Sequence, residues 1–510
     1  MRLLCYLLLL LLTCSKSLTA QTITQALALH EQDSGLLTAG ALDAAGNLYL
    51  ASTLNLKTLP GEAGIAGIFL AGDPVLSKYA PDGTLLWRRE FPGNVARFSD
   101  LAVTPEQNLV VTGGYVDTFH LGADGPIPGE PSNGSFFIAQ LNPEGQFMWI
   151  DTHLSTLPED GMGWTLALGP EAIFVAGMHD AIWSSLRRYD FNGELESEKI
   201  VEIRTISDLA LDEQGHLYAV GTAAPLALFN NLPVPSPSIF TGYVSYIAQL
   251  DTAFQVQWIR SYNYGTFDEH PKTTVFDGKP VLLSLDLGED SNGNGAYQLK
   301  TFMPNGDLIH VDSVLSGFSF FNYEHFALQS FCDRLLLAFP SENGFALRAY
   351  NADFQDTTLL QSSAGNFAGT YPFIATQGEQ AVFGSNFRNS ELTLSEDFTL
   401  HNSHVPAPQQ YIIQMACENA STGSSAPVSA SDTWILAPNP SGSCVYLNRV
   451  AGNSGKEVRV ELLDGTGRLC GQFKTSADQT MISLEALSAG VYFLRIMNAE
   501  RIAVLKGVRE

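Results

Sequence analysis

The stretch Ile206-Ser-Asp-Leu-Ala-Leu-Asp-Glu-Gln-Gly-His-Leu-Tyr-Ala-Val-Gly221 is a pattern the chain writes again and again. It predicts a strand around Leu209 and Leu211, a turn at Asp212–Gly215, and a second strand over Leu217–Val220 closed by a glycine. Leu42-Asp-Ala-Ala-Gly-Asn-Leu-Tyr-Leu50 and Leu101-Ala-Val-Thr-Pro-Glu-Gln-Asn-Leu-Val-Val111 are earlier versions. Seven copies can be placed by their second strands: Leu48–Ala51, Leu109–Thr112, Ile173–Ala176, Leu217–Val220, Val281–Ser284, Leu335–Ala338 and Ala381–Gly384. A spacing of 44 to 64 residues keeps one supersecondary unit per copy and tolerates loop insertions.

Six copies continue into a third strand, at Val75–Tyr79, Phe136–Leu141, Leu186–Tyr189, Tyr246–Leu250, Tyr297–Phe302 and Phe345–Tyr350. Asp82-Gly83, Asn192-Gly193 and Asn305-Gly306 then supply turn dipeptides that accept positive φ. A fourth strand alternates through Leu85/Trp87, Phe147/Trp149, Val256/Trp258 and Leu308/His310. No long stretch of helical period separates the copies. Four-stranded units that cannot bury both faces alone bury them by radial stacking, so the expected class is all-β, a β-propeller.

The seventh copy is incomplete, ending on a third strand at Tyr411–Met415, while Thr22–Leu29 stands alone before copy one. Pairing the two would complete a seventh blade and remove an exposed edge. An open β-solenoid or a pair of sandwiches is the alternative. Gly46-Asn-Leu-Tyr-Leu, Phe137-Ile-Ala-Gln-Leu-Asn-Pro-Glu-Gly and Gly145-x-x-x-Trp149 resemble the seven-bladed propeller repeats of bacterial secreted proteins (SBBP-like repeats), a resemblance that implies fold and little about ligand.

At the N-terminus, Arg2, the apolar run Leu7–Leu12 and Ala20 predict a secretory signal peptide over residues 1–20, although Leu11-Leu-Thr-Cys14 loosely resembles a lipoprotein box. No later stretch is apolar for long enough to form a transmembrane segment. The formal charge of −26 disfavours nucleic acid and anionic lipid as partners. Four cysteines lie beyond the leader, Cys332, Cys417, Cys444 and Cys470, and an oxidising compartment would allow any of three pairings.

The domains expected are thus the leader, a propeller over 21–417, a polar low-complexity linker over 418–433 and a small antiparallel sandwich over 434–510. Residues 436–510 carry nine Lys/Arg against seven Asp/Glu, so almost all the acidity belongs to what precedes them. The opening Pro438-Asn439-Pro440, a turn at Gly467, Gly490-Val491-Tyr492 and the terminal Lys506 closely resemble the sorting domain of the type IX (Por) secretion system of Bacteroidota. The resemblance implies export through the periplasm to the outside or the outer cell surface. The secretion machinery and its sortase would be the partners, with removal of the domain and, often, attachment to lipopolysaccharide.

Local motifs for chemistry are sparse, and no catalytic residue is assigned. Asp290, Asn292 and Asn294 follow the opening of a calcium loop, to which Asp286 could add an oxygen; no other cofactor is implied. A plain hairpin loop is the alternative, since Thr301 stands where a twelfth-position acid belongs. His401 and His404 lie in a loop context, and Asp268–Pro271 reads as a solvated loop. Trp87, Trp149 and Trp258 recur at one repeat position and read as packing between blades, while Trp164 and Trp183 fall off that register as candidates for stacking. A binding or adhesion module for a surface glycan or protein is one functional reading, and a glycan hydrolase or lyase is the other. Carboxylates or His converging in the central funnel would favour the enzyme.

Overall fold

The structure is a computed structural model. It describes residues 21–29, 35–58, 70–92, 94–121, 125–128, 134–154, 163–180, 183–224, 227–235, 243–263, 271–287, 295–318, 326–341, 344–362, 372–387, 391–394, 399–402, 409–417, 433–437, 444–451, 458–464, 468–476, 479–483, 487–488, 490–497 and 502–509. All its named elements are β-strands. The contacts divide the chain into two units, one of residues 18–419 and one containing 420–510.

In the larger unit the strands form four-stranded antiparallel meanders, numbered here as sheets one to seven. Sheet one is Leu36–Leu42, Leu48–Thr58, Leu70–Tyr79 and Leu85–Glu90; sheet two is Ala96–Val103, Leu109–Val116, Gly134–Leu141 and Phe147–Leu154. A single bridge, Gly72 to Ala96, joins them. Sheet three runs Gly163–Leu168, Ile173–Asp180, Trp183–Tyr189, Leu195–Val201, and sheet four Asp208–Leu211, Leu217–Ala223, Val244–Leu250, Val256–Asn263. Sheet five runs Lys272–Phe276, Lys279–Leu287, Gly295–Phe302, Leu308–Phe318, and sheet six Ala327–Phe331, Arg334–Ser341, Gly344–Tyr350, Asp356–Gln361. Sheet seven takes Phe373–Gln377, Gln380–Phe387 and Gln409–Cys417, and its fourth strand is Gln21–Ala28 from the other end of the chain. Gln21 pairs with Cys417 and Ala28 with Tyr411, antiparallel, as the orphan strand before copy one predicts. The first strands neighbour one another in order from sheet one to sheet seven, and sheet seven returns to sheet one. The arrangement is propeller-like.

The repeat residues explain the local geometry. At the end of a strand, Asp43, Asn142, Asp190, Asp212, Asp251 or Asn351 turns its side-chain oxygen back onto the backbone N–H four residues later. The turn is closed by a residue of positive φ, such as Gly193 at 88°. Trp87, Trp149 and Trp258 leave the fourth strand of one sheet and cover the turn glycine of the next, namely Gly145, Gly193 and Gly306. The indole N–H groups of Trp87 and Trp258 donate to the carbonyls of Pro143 and Pro304. These tryptophans therefore pack between sheets, in agreement with their shared repeat position.

Two fourth strands without sequence signals, Leu195–Val201 and Asp356–Gln361, are also formed. Both are outer strands with mostly exposed side chains, the first charge-rich and the second mostly uncharged polar and leucine, so burial left no hydrophobic alternation to read. Cys332 and Cys417 form a disulfide that ties the first turn of sheet six to the end of the third strand of sheet seven. Cys470 is free.

The C-terminal unit contains two sheets. Thr433–Ala437, Cys444–Ala451 and Gln479–Ser483 form one; Leu469–Thr475, Val458–Asp464, Gly490–Met497 and Ile502–Arg509, in that spatial order, form the other. Leu447 and Ile482 of the first pack with Val460, Leu494 and Ile496 of the second. The linker expected over 418–433 lies outside the described residues except for Thr433, which begins a strand.

Candidate functional site

Among the described residues, the first strands of sheets one to seven line a cavity of about 510 Å³, the size range of small-molecule sites. In the strand registers, Ala39, Asp100, Thr165, Asp208, Lys272, Ala327 and Phe373 occupy equivalent positions opposite the second strands. The ring is therefore polar over sheets two to five and apolar over the remainder. Phe373 fills its share by lying between Gly40 and Gly384, where a Cβ would come within 2.2 Å of the ring carbons. That contact explains why sheet one has glycine where sheets two, three, four and six have leucine.

Among the described residues, Asp100, Asp208 and Lys272 are the charged ones lining the cavity. Asp100 accepts the backbone N–H of Leu101 at 2.8 Å and, across to sheet three, that of Leu166 at 2.9 Å. Asp208 accepts Leu209 N–H at 3.2 Å and, across to sheet five, Thr273 N–H at 2.9 Å. Between them stands Thr165, its Oγ1 3.1 Å from Asp100 Oδ2 and 3.4 Å from Asp208 Oδ1. Burial raises both carboxyls; for Asp100, opposed by its amide bond to Leu166 and reinforced by the charge of Asp208, the result is a pKa of about 6. The Lys272 ammonium pulls both carboxyls down by its charge. Both carboxylates line the cavity and are partly exposed.

Trp164 lines the same cavity beside a β-bulge at the start of its strand, and similar bulges precede Ala39 and Asp100. Bulges re-aim side chains at such positions. Trp183 is 37 % exposed at the start of the third strand of sheet three. The tight turns lie at one end of the sheets. Connections at the other end carry the inserted hairpins Phe119–His120/Pro126–Ile127, Leu228–Phe229/Leu232–Pro233 and Glu391–Thr393/Thr399–His401.

The sequence candidates fare unevenly. Asp286 has a carboxyl raised by burial and opposed by Lys300, whose ammonium is 3.8 Å away; Asp290, Asn292 and Asn294 lie outside the described residues. Among the described residues no three His, Cys, Asp or Glu side chains converge as a metal site. His404 and Asp268–His270 are outside the described residues, and His401 lies in an inserted hairpin. Pro438, Asn439, Pro440 and Gly467 are outside them as well. Gly490, Val491 and Tyr492 open one strand, Lys506 lies in its neighbour, and the Tyr492 hydroxyl donates to Ser488 O at 2.6 Å. Sequence reasoning missed the Asp100–Thr165–Asp208 group. Its only signal was that Asp-Leu-Ala recurs at 100–102 and 208–210, with Thr-Leu-Ala between them at 165–167.

Residues 436–508 match the family model of the secretion system C-terminal sorting domain (the Por secretion tail). Such a domain indicates export by the type IX machinery to the cell surface or the medium. No curated protein matches the chain in sequence. Among solved structures, the Dos1 propeller is similar over 77 % of this chain and 95 % of its own, at 9 % identity and a TM-score of 0.42. A PL25 ulvan lyase bound to -[GlcA(1-4)Rha3S]- is similar over 72 % and 93 %, at 9 % identity and a TM-score of 0.41. A functionally unknown protein from Desulfotomaculum acetoxidans DSM 771 is similar over 63 % and 85 %, at 13 % identity and a TM-score of 0.34. No helix among the described residues is long and apolar enough to cross a membrane.

Proposed function

We propose that the chain is a seven-bladed β-propeller, led to the periplasm by residues 1–20 and delivered to the outer surface by its sorting domain, where it binds a glycan through its central cavity. The observation that carries binding over hydrolysis is the placement of Thr165. Two carboxylates do converge in the cavity, as an enzyme would need. Each is committed to a backbone amide of a neighbouring sheet, however, and the threonine hydroxyl fills the space where a glycosidic bond would have to sit between acid and base. What is left facing the cavity is a polar arc, the Lys272 ammonium and the half-buried Trp164, groups suited to hydroxyls and to the apolar face of a sugar.

Two experiments test this. Mature protein is applied to an array of bacterial and algal glycans and, in parallel, incubated with the same glycans to look for new reducing ends. Saturable binding that is lost in Trp164→Ala, without cleavage, supports the reading; cleavage would replace it with the enzyme. In a host with this secretion system, a chain lacking 436–510 is expected to stay in the periplasm, and its appearance outside in normal amounts would refute the delivery role.

A further inference from the structure

We propose that Asp100, Thr165 and Asp208 form a proton-operated clasp that joins sheets two, three and four and sets the charge of the central cavity. The clasp concerns regulation of the cavity proposed above as the ligand site, and rests on that reading for its biological meaning.

Thr165 Oγ1 lies within hydrogen-bond reach of a carboxylate oxygen on each side, at 3.1 and 3.4 Å, yet a hydroxyl has one hydrogen to give. With both carboxyls ionised, one of the two contacts sets lone pairs against lone pairs. With one proton added, that carboxyl donates to Thr165 Oγ1 while the threonine donates to the other, and both contacts become hydrogen bonds. The remaining polar links on this wall join sheet two to sheet three (Asp100 to Leu166 N) and sheet four to sheet five (Asp208 to Thr273 N). Among the described residues of this wall, Thr165 is a side-chain link from sheet three to sheet four. Lys272, from sheet five, is the other titratable group facing the pair from the cavity wall, and its charge favours the ionised state. Burial and the charge of Asp208 outweigh it at Asp100, whose carboxyl is pushed up to about 6. As pH falls through that value Asp100 takes up a proton and the pair loses one negative charge; as pH rises through it the arc gains that charge and one clasp contact is lost.

Amide hydrogen exchange on the full mature chain reads the clasp without needing a ligand. After correction for intrinsic rates, the Thr165–Leu166 and Asp208–Leu209 amides are expected to be ~10-fold better protected at pH 5 than at pH 7.5, with Leu328 of sheet six unchanged. Thr165→Val keeps the shape and removes the hydroxyl, and should abolish the difference. Equal protection at both pH values in the unmodified protein, or a pH step that survives Thr165→Val, overturns the clasp. Absence of glycan binding would sink the proposed function and leave this exchange result standing, so the two failures are distinguishable.

Discussion

Gly193 lies beneath the indole of Trp149 so closely that a Cβ there would come within 2.4 Å of the ring. The glycine belongs to sheet three and the tryptophan to sheet two, so this contact is a seam between sheets. The same seam recurs as Gly145 under Trp87 and Gly306 under Trp258. Gly193 also has φ of 88°, which an L side chain rarely adopts.

Gly193→Ala is therefore expected to destabilise the larger unit by about 2–3 kcal/mol, combining left-handed strain with displacement of the indole. Gly215→Ala has the same φ problem but nothing within 4 Å of the new methyl, so it should lose only about 1 kcal/mol. Thermal melts of both variants check the difference. Equal losses would show that strain alone, without the seam, accounts for the glycine.

The ring position of Phe373 makes a second prediction. Gly40→Leu restores the residue that sheets two, three, four and six carry, but it drives a side chain into the Phe373 ring. A loss of about 3 kcal/mol or more is expected from the overpacked site, and Gly40→Leu with Phe373→Ala should recover part of it. Additive losses in the double variant, measured by denaturant unfolding, would contradict the contact.

How far the sequence carried this structure depends on what burial imposed. Second and third strands such as Leu217–Ala223 and Val244–Leu250 are buried along their whole length, and their apolar runs were legible. The closing strand was legible too, because an incomplete copy and an orphan strand stood at opposite ends. The outer strand Leu195–Val201 was not, since its side chains are mostly exposed and charge-rich. The Asp100–Thr165–Asp208 group was hidden for a different reason. Its members are spaced 65 and 43 residues apart and meet only through the circular order of the sheets. The disulfide likewise joins Cys332 to a cysteine 85 residues away, which no spacing rule selects.

Closure by the N-terminal strand and that disulfide act on the same sheet. Deleting 21–28 exposes the edge of Gln409–Cys417 and should lower the melting temperature by about 10 °C or more. Cys332→Ser with Cys417→Ser, which opens the 85-residue loop, should remove up to about 4 kcal/mol. Circular dichroism melts under oxidising and reducing conditions test both. An unchanged melt in the deletion would contradict closure.

Stability should respond to pH through groups displaced in opposite directions, Asp100 and His153 among them. Asp100 is raised from 3.8 to about 6, so the stability it contributes is fully present below pH 3.8 and is lost as pH rises through about 6. His153, held against His179 with ring centres 4.8 Å apart, is lowered from 6.5 to about 4 by burial and then by the charges of Arg187 and His179. Its contribution is present above pH 6.5 and is lost as pH falls towards 4. His153→Gln should therefore gain about 1 kcal/mol relative to the parent at pH 4.5 compared with pH 8, after discounting for partial exposure. Parallel pH profiles for the two proteins would show that His153 does not titrate as placed.

The most direct test of the account is the covalent identity of the protein found on the cell surface. Mass spectrometry of that form, with full peptide coverage, locates both ends. The expected chain begins near Gln21, keeps Cys332 joined to Cys417, and ends between 418 and 436, with no peptide from Gly490–Met497 or Ile502–Arg509. A surface form that retains those last two strands in full amount would contradict the assignment of 436–508 as a removable delivery tail.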